Sequence, residues 1–465
     1  MVGEFSHIPQ SVPRVSTKHR RIVTKLPAPE SLPILARSEK YEPRSLLGQP
    51  PVVWDRAEGF QVYDRYGNMW LDWTSGVLVA NIGHANPAVK KAIVREVENN
   101  LLFSYCFPTE SRTRLAERLV QLAPRGLDKI FFLTTGSEAT ENVIKLARTH
   151  GQKIGGNRKI VIVTFELGFH GRTLGAQLAG GYPEAKSWIG HLDPAFVQVP
   201  FPDGFRCRDL DFHLFEESLA EHEIEPDEVA AVMMESYQGG GASFAPSAYV
   251  RALRRWCNSQ RALLVFDEVQ AGFGRTGKLF AFEHYGVDPD LICLGKGISG
   301  SLPLSAVLGR SEIMDLYGPG SMTSTHGGHC LACAAALANL EVLIEERCVD
   351  NAAAAGEFLY LGLREIAQRY SSYIGALHGK GMVYGLHIVE AGSDRPDGAL
   401  AFEIVRRCFE GGLLMFAPVG LGGATVKICP PLIATTEALA EGLQVLESAF
   451  EQACSTRDSA AEARA

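Results

Sequence analysis

From about residue 88 onward, apolar residues fall in short unbroken runs, separated by longer stretches in which apolar positions recur every three or four residues. The runs KIFFLT (129–134), KIVIVT (159–164), VAAVMM (229–234), ALLVF (262–266) and LICL (291–294) are too short for helices and too evenly apolar for strands with one wet face. They predict strands buried on both faces of a largely parallel sheet, hence an α/β domain over residues 88–340. Upstream, FQVYDRYGNMWLDW (60–73) alternates and turns at Tyr66-Gly67-Asn68, the pattern of a hairpin. Downstream, GMVYGLHIV (381–389) and ATVKIC (424–429) punctuate helical periodicity. Residues 41–87 and 341–452 are therefore expected to form a smaller α+β domain together. Residues 1–40 are rich in proline and basic side chains, poor helix material, and predict an extended arm. The end of the chain, 453–465, is expected to be disordered.

Composition narrows the function classes. A chain of 465 residues, 46% hydrophobic, can bury one large core or two linked ones. Its 45 basic against 53 acidic residues give a net charge of −8, no footprint for nucleic acid or an anionic membrane, so a small-molecule partner is expected. Of the ten cysteines only Cys330 and Cys333 lie close together, in an Ala-rich helical stretch with no second pair to complete a zinc site. Thiols in a reducing compartment and no metal are the expectation. With no apolar signal region and no run near the ~20 apolar residues that span a bilayer, the expected location is the cytoplasm.

Ligands of such sheets gather beyond the carboxyl ends of the strands. There the sequence places GSEAT after the first run, GFHGRT after the second, Glu235 after the third, Asp267 after the fourth and Lys296 after the fifth. Lys296 sits between Gly295 and Gly297, open to approach, and a desolvated lysine can attack an aldehyde. Its bland alternative is a surface lysine. Asp267 suits the protonated nitrogen of an electron-poor pyridine, or else a turn. Thr134-Thr135-Gly136-Ser137, entering a helix, offers amides and a hydroxyl to a phosphate, or simply caps the helix. Phe169 and His170 offer a ring face and a hydrogen bond, or packing. LLVFDE followed by GFGRTGK imitates a nucleotide-hydrolysis loop, but Leu279 follows the lysine and the order of loop and Asp-Glu strand is reversed.

Taken together, GSEATENVIKLAR, GFHGRT, DEVQAGFGRTG, LGKGISGSLPLSAV and STHGGHCLACAAALANLEVL resemble, in this order, the class III aminotransferases of the fold-type I pyridoxal-phosphate enzymes. The resemblance covers roughly residues 45–450. It implies a large domain with a mostly parallel seven-stranded sheet between helices, pyridoxal 5′-phosphate as cofactor, and ping-pong transfer of an amino group from an amine donor to a keto or aldehyde acceptor. It also implies that Lys296 carries the cofactor as a Schiff base, Asp267 pairs with its ring nitrogen and Gln270 donates near its phenolic oxygen. Gly136 and Ser137 would hold the phosphate, Phe169 would stack on the ring with His170 adjacent, and Glu235 would lie in the cofactor site. Thr325 would reach the phosphate of a neighbouring subunit, which implies a homodimer with shared sites.

The chain also departs from the family. Members that use 2-oxoglutarate often carry a glutamate within a segment like EPVQGEGG, paired with a C-terminal arginine. Here Gly240 and Lys427 stand at those places, and a lysine cannot form the bidentate fork of a guanidinium. The pocket is thus expected to suit an amine, ω-amino compound or amino sugar whose reacting carbon bears no carboxylate. The alternative is that Lys427 faces solvent. Trp73, Tyr105 and His326 are further candidates for the substrate pocket. A racemase, epimerase or aminomutase on the same fold is the nearest alternative activity, and a non-catalytic scaffold the alternative of another class.

Overall fold

A computed structural model describes residues 3–462. The chain forms two compact units, one running from Pro87 to Val349 and the other built from the segments before and after it. The second boundary falls at Val349 rather than at 340, because helix Cys330–Glu345 packs on helices Pro87–Glu98 and Glu110–Leu122 of the large unit. That helix is apolar nearly all round, as a helix enclosed by neighbours must be.

The large unit holds a seven-stranded sheet. Its strands are β1 (Lys129–Leu133), β2 (Val161–Phe165), β3 (Phe196–Val199), β4 (Val229–Glu235), β5 (Leu263–Asp267), β6 (Leu291–Leu294) and β7 (Ser305–Gly309), in the spatial order β1-β7-β6-β5-β4-β2-β3. All five apolar runs of the sequence are strands. β2 to β6 pair parallel, and β7 runs antiparallel to both β6 and β1. β3 and β7 were not distinguished in the sequence, being four and five residues long and set among loops. The 20-residue helix Gly136–Gly155 leaves β1 through a capping box of Thr135 and Glu138. Its stripe of Ala139, Val143, Leu146 and Ala147 is buried in one core with Met233, Val265 and Cys293 of the sheet. At Gly151 a Cβ would come within 2.2 Å of the Lys159 carbonyl oxygen, so the helix passes directly over the chain entering β2.

In the small unit the strands Gln61–Tyr63 and Met69–Asp72 pair antiparallel as the hairpin pattern requires. Asp64 Oδ1 accepts the N–H groups of Tyr66 and Asn68, both at 2.9 Å, and so closes the turn. The N-terminal arm is more ordered than expected. Val15–Ser16 and Arg21–Ile22 pair with each other, and Leu32–Tyr41 is a helix, tolerated because Pro33 falls in its first turn where no N–H is needed. A second, three-stranded antiparallel sheet joins Ile374–Lys380, Val383–Ile388 and Thr425–Ile428. The expected disordered tail is corrected as far as Glu462. Helix Thr436–Glu462 continues through it, since Ala449, Phe450, Ala453 and Cys454 extend its buried stripe, and 463–465 lie outside the described residues. Among the described residues no helix is long and apolar enough to cross a membrane.

Trp73 is fully buried in this unit, its indole against Gly442, where a Cβ would stand 2.2 Å from Cζ2. Gly442→Ala is accordingly expected to cost about 1–3 kcal/mol by overpacking. An unchanged melting temperature in calorimetry would show that the indole is not wedged there.

Candidate active site

β4 and β5 end in register, so Glu235 and Asp267 stand side by side at the carboxyl edge of the sheet. Asp267 Oδ1 accepts the Val269 N–H at 3.0 Å, and Oδ2 lies 2.8 Å from His170 Nδ1. The turn carrying His170 is fixed from the first helix of the site, where Thr140 Oγ1 donates to the His170 carbonyl at 2.8 Å. Burial opposes protonation of His170, but the hydrogen bond and charge of Asp267, with the charge of Glu235, outweigh it and raise its pKa. Asp267 thus faces on one side a histidine that it holds toward its protonated form, and keeps lone pairs for a second partner.

Glu235 is a clamp. Its Oε2 accepts the Phe169 N–H and its Oε1 the Gly239 N–H, both at 2.9 Å, so one buried carboxylate ties the Phe169 turn to the turn after β4. Burial pushes its pKa up to about 7, against the pull of His170 and of those two N–H groups. Gly239 has no room for a side chain, since a Cβ would sit 2.8 Å from both Glu235 Oε1 and Gln270 Nε2. Gln270 is thereby placed beside Glu235.

Lys296 follows β6 in a short turn, Lys296–Ile298, with φ +42°, a left-handed conformation that non-glycine residues rarely adopt. Burial lowers the pKa of its amine, while the charges of Asp267 and Glu235 act the other way. Val269 lies against the segment before the lysine and against the helix start: a Cβ at Gly295 or Gly136 would stand 3.0 or 2.8 Å from its Cγ1. Helix start, Asp267 loop and lysine turn are therefore packed together. Ser137 Oγ accepts the Arg172 N–H at 3.2 Å, and Phe169 presents a ring that is 41% exposed. An open helix N-terminus with a hydroxyl, an exposed ring face, a paired acid and a lysine of lowered pKa fit a phosphorylated pyridine aldehyde.

Thr325 and His326 are exposed, and the His326 ring is 5.3 Å from Phe103 and 6.5 Å from His329. Among the described residues no group of three or more His, Cys, Asp or Glu side chains is placed to hold a metal. Tyr105 donates to Thr323 Oγ1 at 3.4 Å and is 40% exposed. Gly240 is half-buried in a turn closed by the Gln238 N–H to the Ser243 carbonyl at 2.9 Å. In the small unit Lys427 is 2% exposed, which removes the solvent-facing alternative. Trp73, expected at a substrate entrance, is instead core, because the hairpin pairing turns its indole onto helix Thr436–Glu462. Of the phosphate-loop imitation, Arg275 and Thr276 are buried in a run of turns.

Glu268 escaped the sequence reading. It is fully buried, and its carboxylate accepts the Ser236 hydroxyl and the N–H groups of Ala281 and Phe282 at 2.9 and 2.8 Å, with burial raising its pKa to about 7. Its signal was the second acid of LLVFDE, which points to the opposite side of the strand end from Asp267.

Comparison with known proteins agrees with this geometry. The family model for class III aminotransferases matches residues 45–450. The acetylornithine aminotransferase of Gloeobacter violaceus is 36% identical over 86% of this chain and 93% of its own length. The alanine/serine racemase of Pyrococcus horikoshii is 33% identical over 96% of both chains. An amine transaminase from an uncultivated Pseudomonas species, solved in its PLP-bound form, superposes with a TM-score of 0.80 at 29% identity, covering 86% of this chain and 95% of that one. The chain belongs to the class III aminotransferases, enzymes that transfer amino groups with pyridoxal 5′-phosphate.

Proposed function

We propose that Lys296, Asp267 and the groups packed around them form the active centre, and that the donor is an amine, ω-amino compound or amino sugar whose reacting carbon bears no carboxylate. Gly240 carries the substrate reading: its turn closes on backbone hydrogen bonds and offers no side chain where 2-oxoglutarate-using relatives often carry a glutamate. Gly136 and Ser137 would hold the cofactor phosphate, Phe169 one face of the ring, Asp267 the ring nitrogen, Gln270 the ring oxygen and Lys296 the aldehyde carbon. Bound there, pyridoxal 5′-phosphate supplies an electron-withdrawing ring that stabilises negative charge on the substrate carbon. Lys296 Nζ, lowered in pKa by burial, takes the proton from that carbon and delivers it one position away. Return to the same carbon would instead isomerise the substrate. That second reading is kept because an alanine/serine racemase is 33% identical over 96% of this chain.

Stopped-flow spectra with a panel of amines separate the two. Conversion of the visible band to a near-ultraviolet one, slowed at least about 100-fold in Lys296→Ala, is expected for transamination. A persistent band with exchange of the substrate's α-proton would identify a racemase. With the donor in hand, kcat/KM for 2-oxoglutarate is expected below that of a relative carrying the Glu and Arg pair, and parity would remove the role given to Gly240.

The large unit further supports a homodimer in which Thr325 reaches the neighbouring site, because Leu102, Phe103 and Phe107 lie exposed in one segment. A sedimentation-equilibrium mass of one chain would exclude it.

The Glu235 clamp makes stability depend on pH with a definite sign. Its pKa is raised in the folded chain, from 4.5 to about 7, so its contribution is full at low pH and lost as pH rises through about 7. In cofactor-free protein, Glu235→Gln is therefore expected to gain on the parent by up to about 3 kcal/mol between pH 5 and 8, read from urea midpoints. A pH-independent difference would show that the carboxylate is not strained by burial.

A further inference from the structure

Helix Cys330–Glu345 buries cysteines, alanines, leucines and a valine, and among them a single amide, Asn339, which is 0% exposed. Asn339 Nδ2 donates to the carbonyl oxygens of Gly297 at 2.9 Å and Ile298 at 3.3 Å, the two residues that follow Lys296. Two carbonyls can be met only by the NH2 end of the amide, which settles its orientation. Oδ1 is then left without a hydrogen-bond partner in the interior. It sits where a Cβ on Gly300 would approach to 2.4 Å, and Gly300, at φ +65°, carries none.

For the packing of this helix the amide is a poor choice. A leucine of similar volume would fill the same space without the unpaired Oδ1, but it would take the donor from the two buried carbonyls. What the amide does supply is an outside tie on a turn that needs one. Lys296 is held at φ +42°, and the turn has one backbone bond of its own, from the Ile298 N–H to the Gly295 carbonyl at 3.0 Å. A left-handed non-glycine residue persists only where its surroundings over-determine it.

We propose that Asn339 is a positioning residue for the reacting lysine: by bridging the carbonyls of Gly297 and Ile298 it holds the turn that keeps Lys296 left-handed and half-buried. Gly300 is the vacancy that lets the amide in. The inference rests on the reading of Lys296 as the lysine that reacts, and it extends the active centre to a helix that contributes no group to the substrate.

Three measurements on Asn339→Leu test it: the thermal midpoint, kcat and KM in the amine half-reaction, and competitive acetylation of Lys296 against pH, followed by mass spectrometry on cofactor-free protein. The expected result is a thermal midpoint below the parent's, because two buried carbonyls lose their donor, and an acetylation midpoint moved up toward the ordinary lysine value of about 10.4. The same variant is expected to show kcat reduced about 10-fold or more with KM little changed. A parent-like acetylation midpoint together with parent-like kcat overturns the proposal, whatever the thermal midpoint does. Should the leucine variant not fold, Asn339→Ala is judged by the same acetylation criterion. Lys296→Ala separates the two levels, because a half-reaction surviving in it removes the assignment of Lys296, whereas the acetylation midpoint judges Asn339 without the cofactor.

Discussion

Two carboxylates held in register at the ends of adjacent parallel strands are a liability that the surrounding chain has to offset, and the Asp267 and Glu235 pair imposes that condition here. Charge is met by charge on one side, where His170 is raised in pKa and bonded to Asp267. It is met by backbone dipoles on the other, where Glu235 takes the N–H groups of Phe169 and Gly239. Lys296 completes the balance as an amine whose pKa both carboxylates act on. These partners come from three loops, the turn of Phe169 and His170, the turn after β4 and the turn after β6. Neutralising the pair therefore gathers the loops at one edge of the sheet.

The strands that carry the site were legible because burial on both faces leaves an unmistakable apolar run, and their polar ends followed directly. β3 and β7 were not, since four or five residues among loops carry no period. The alanine-rich helix Cys330–Glu345 was legible as a helix, but its unit was misjudged because an all-round apolar surface says that a helix is enclosed and not by what. Proline density misled at Leu32–Tyr41, where position within the first turn matters more than count. Trp73 misled for another reason: an aromatic near a motif looks like a pocket wall until the hairpin twist decides which way it faces. Glu268 and Asn339 stayed hidden because their importance lies in what they touch, Ser236, Ala281 and Phe282 for one and Gly297 and Ile298 for the other. No spacing rule reports contacts between segments so far apart in the chain.

The antiparallel strand β7 has a bearing on how the enzyme is made. It is threaded between β6 and β1, and Ser305 Oγ at its start donates to the Thr135 carbonyl at the helix entrance, 2.6 Å away in space and 170 residues distant along the chain. Closing so long a loop is entropically slow and waits for the parallel strands between to be in place. Until that last pairing is made, strand β1, from which the helix Gly136–Gly155 leaves, has no neighbour in the sheet. On a ribosome, the first 300 residues can emerge while β1 still lacks its partner strand, so the sheet is closed only once the segment carrying β7 has been made.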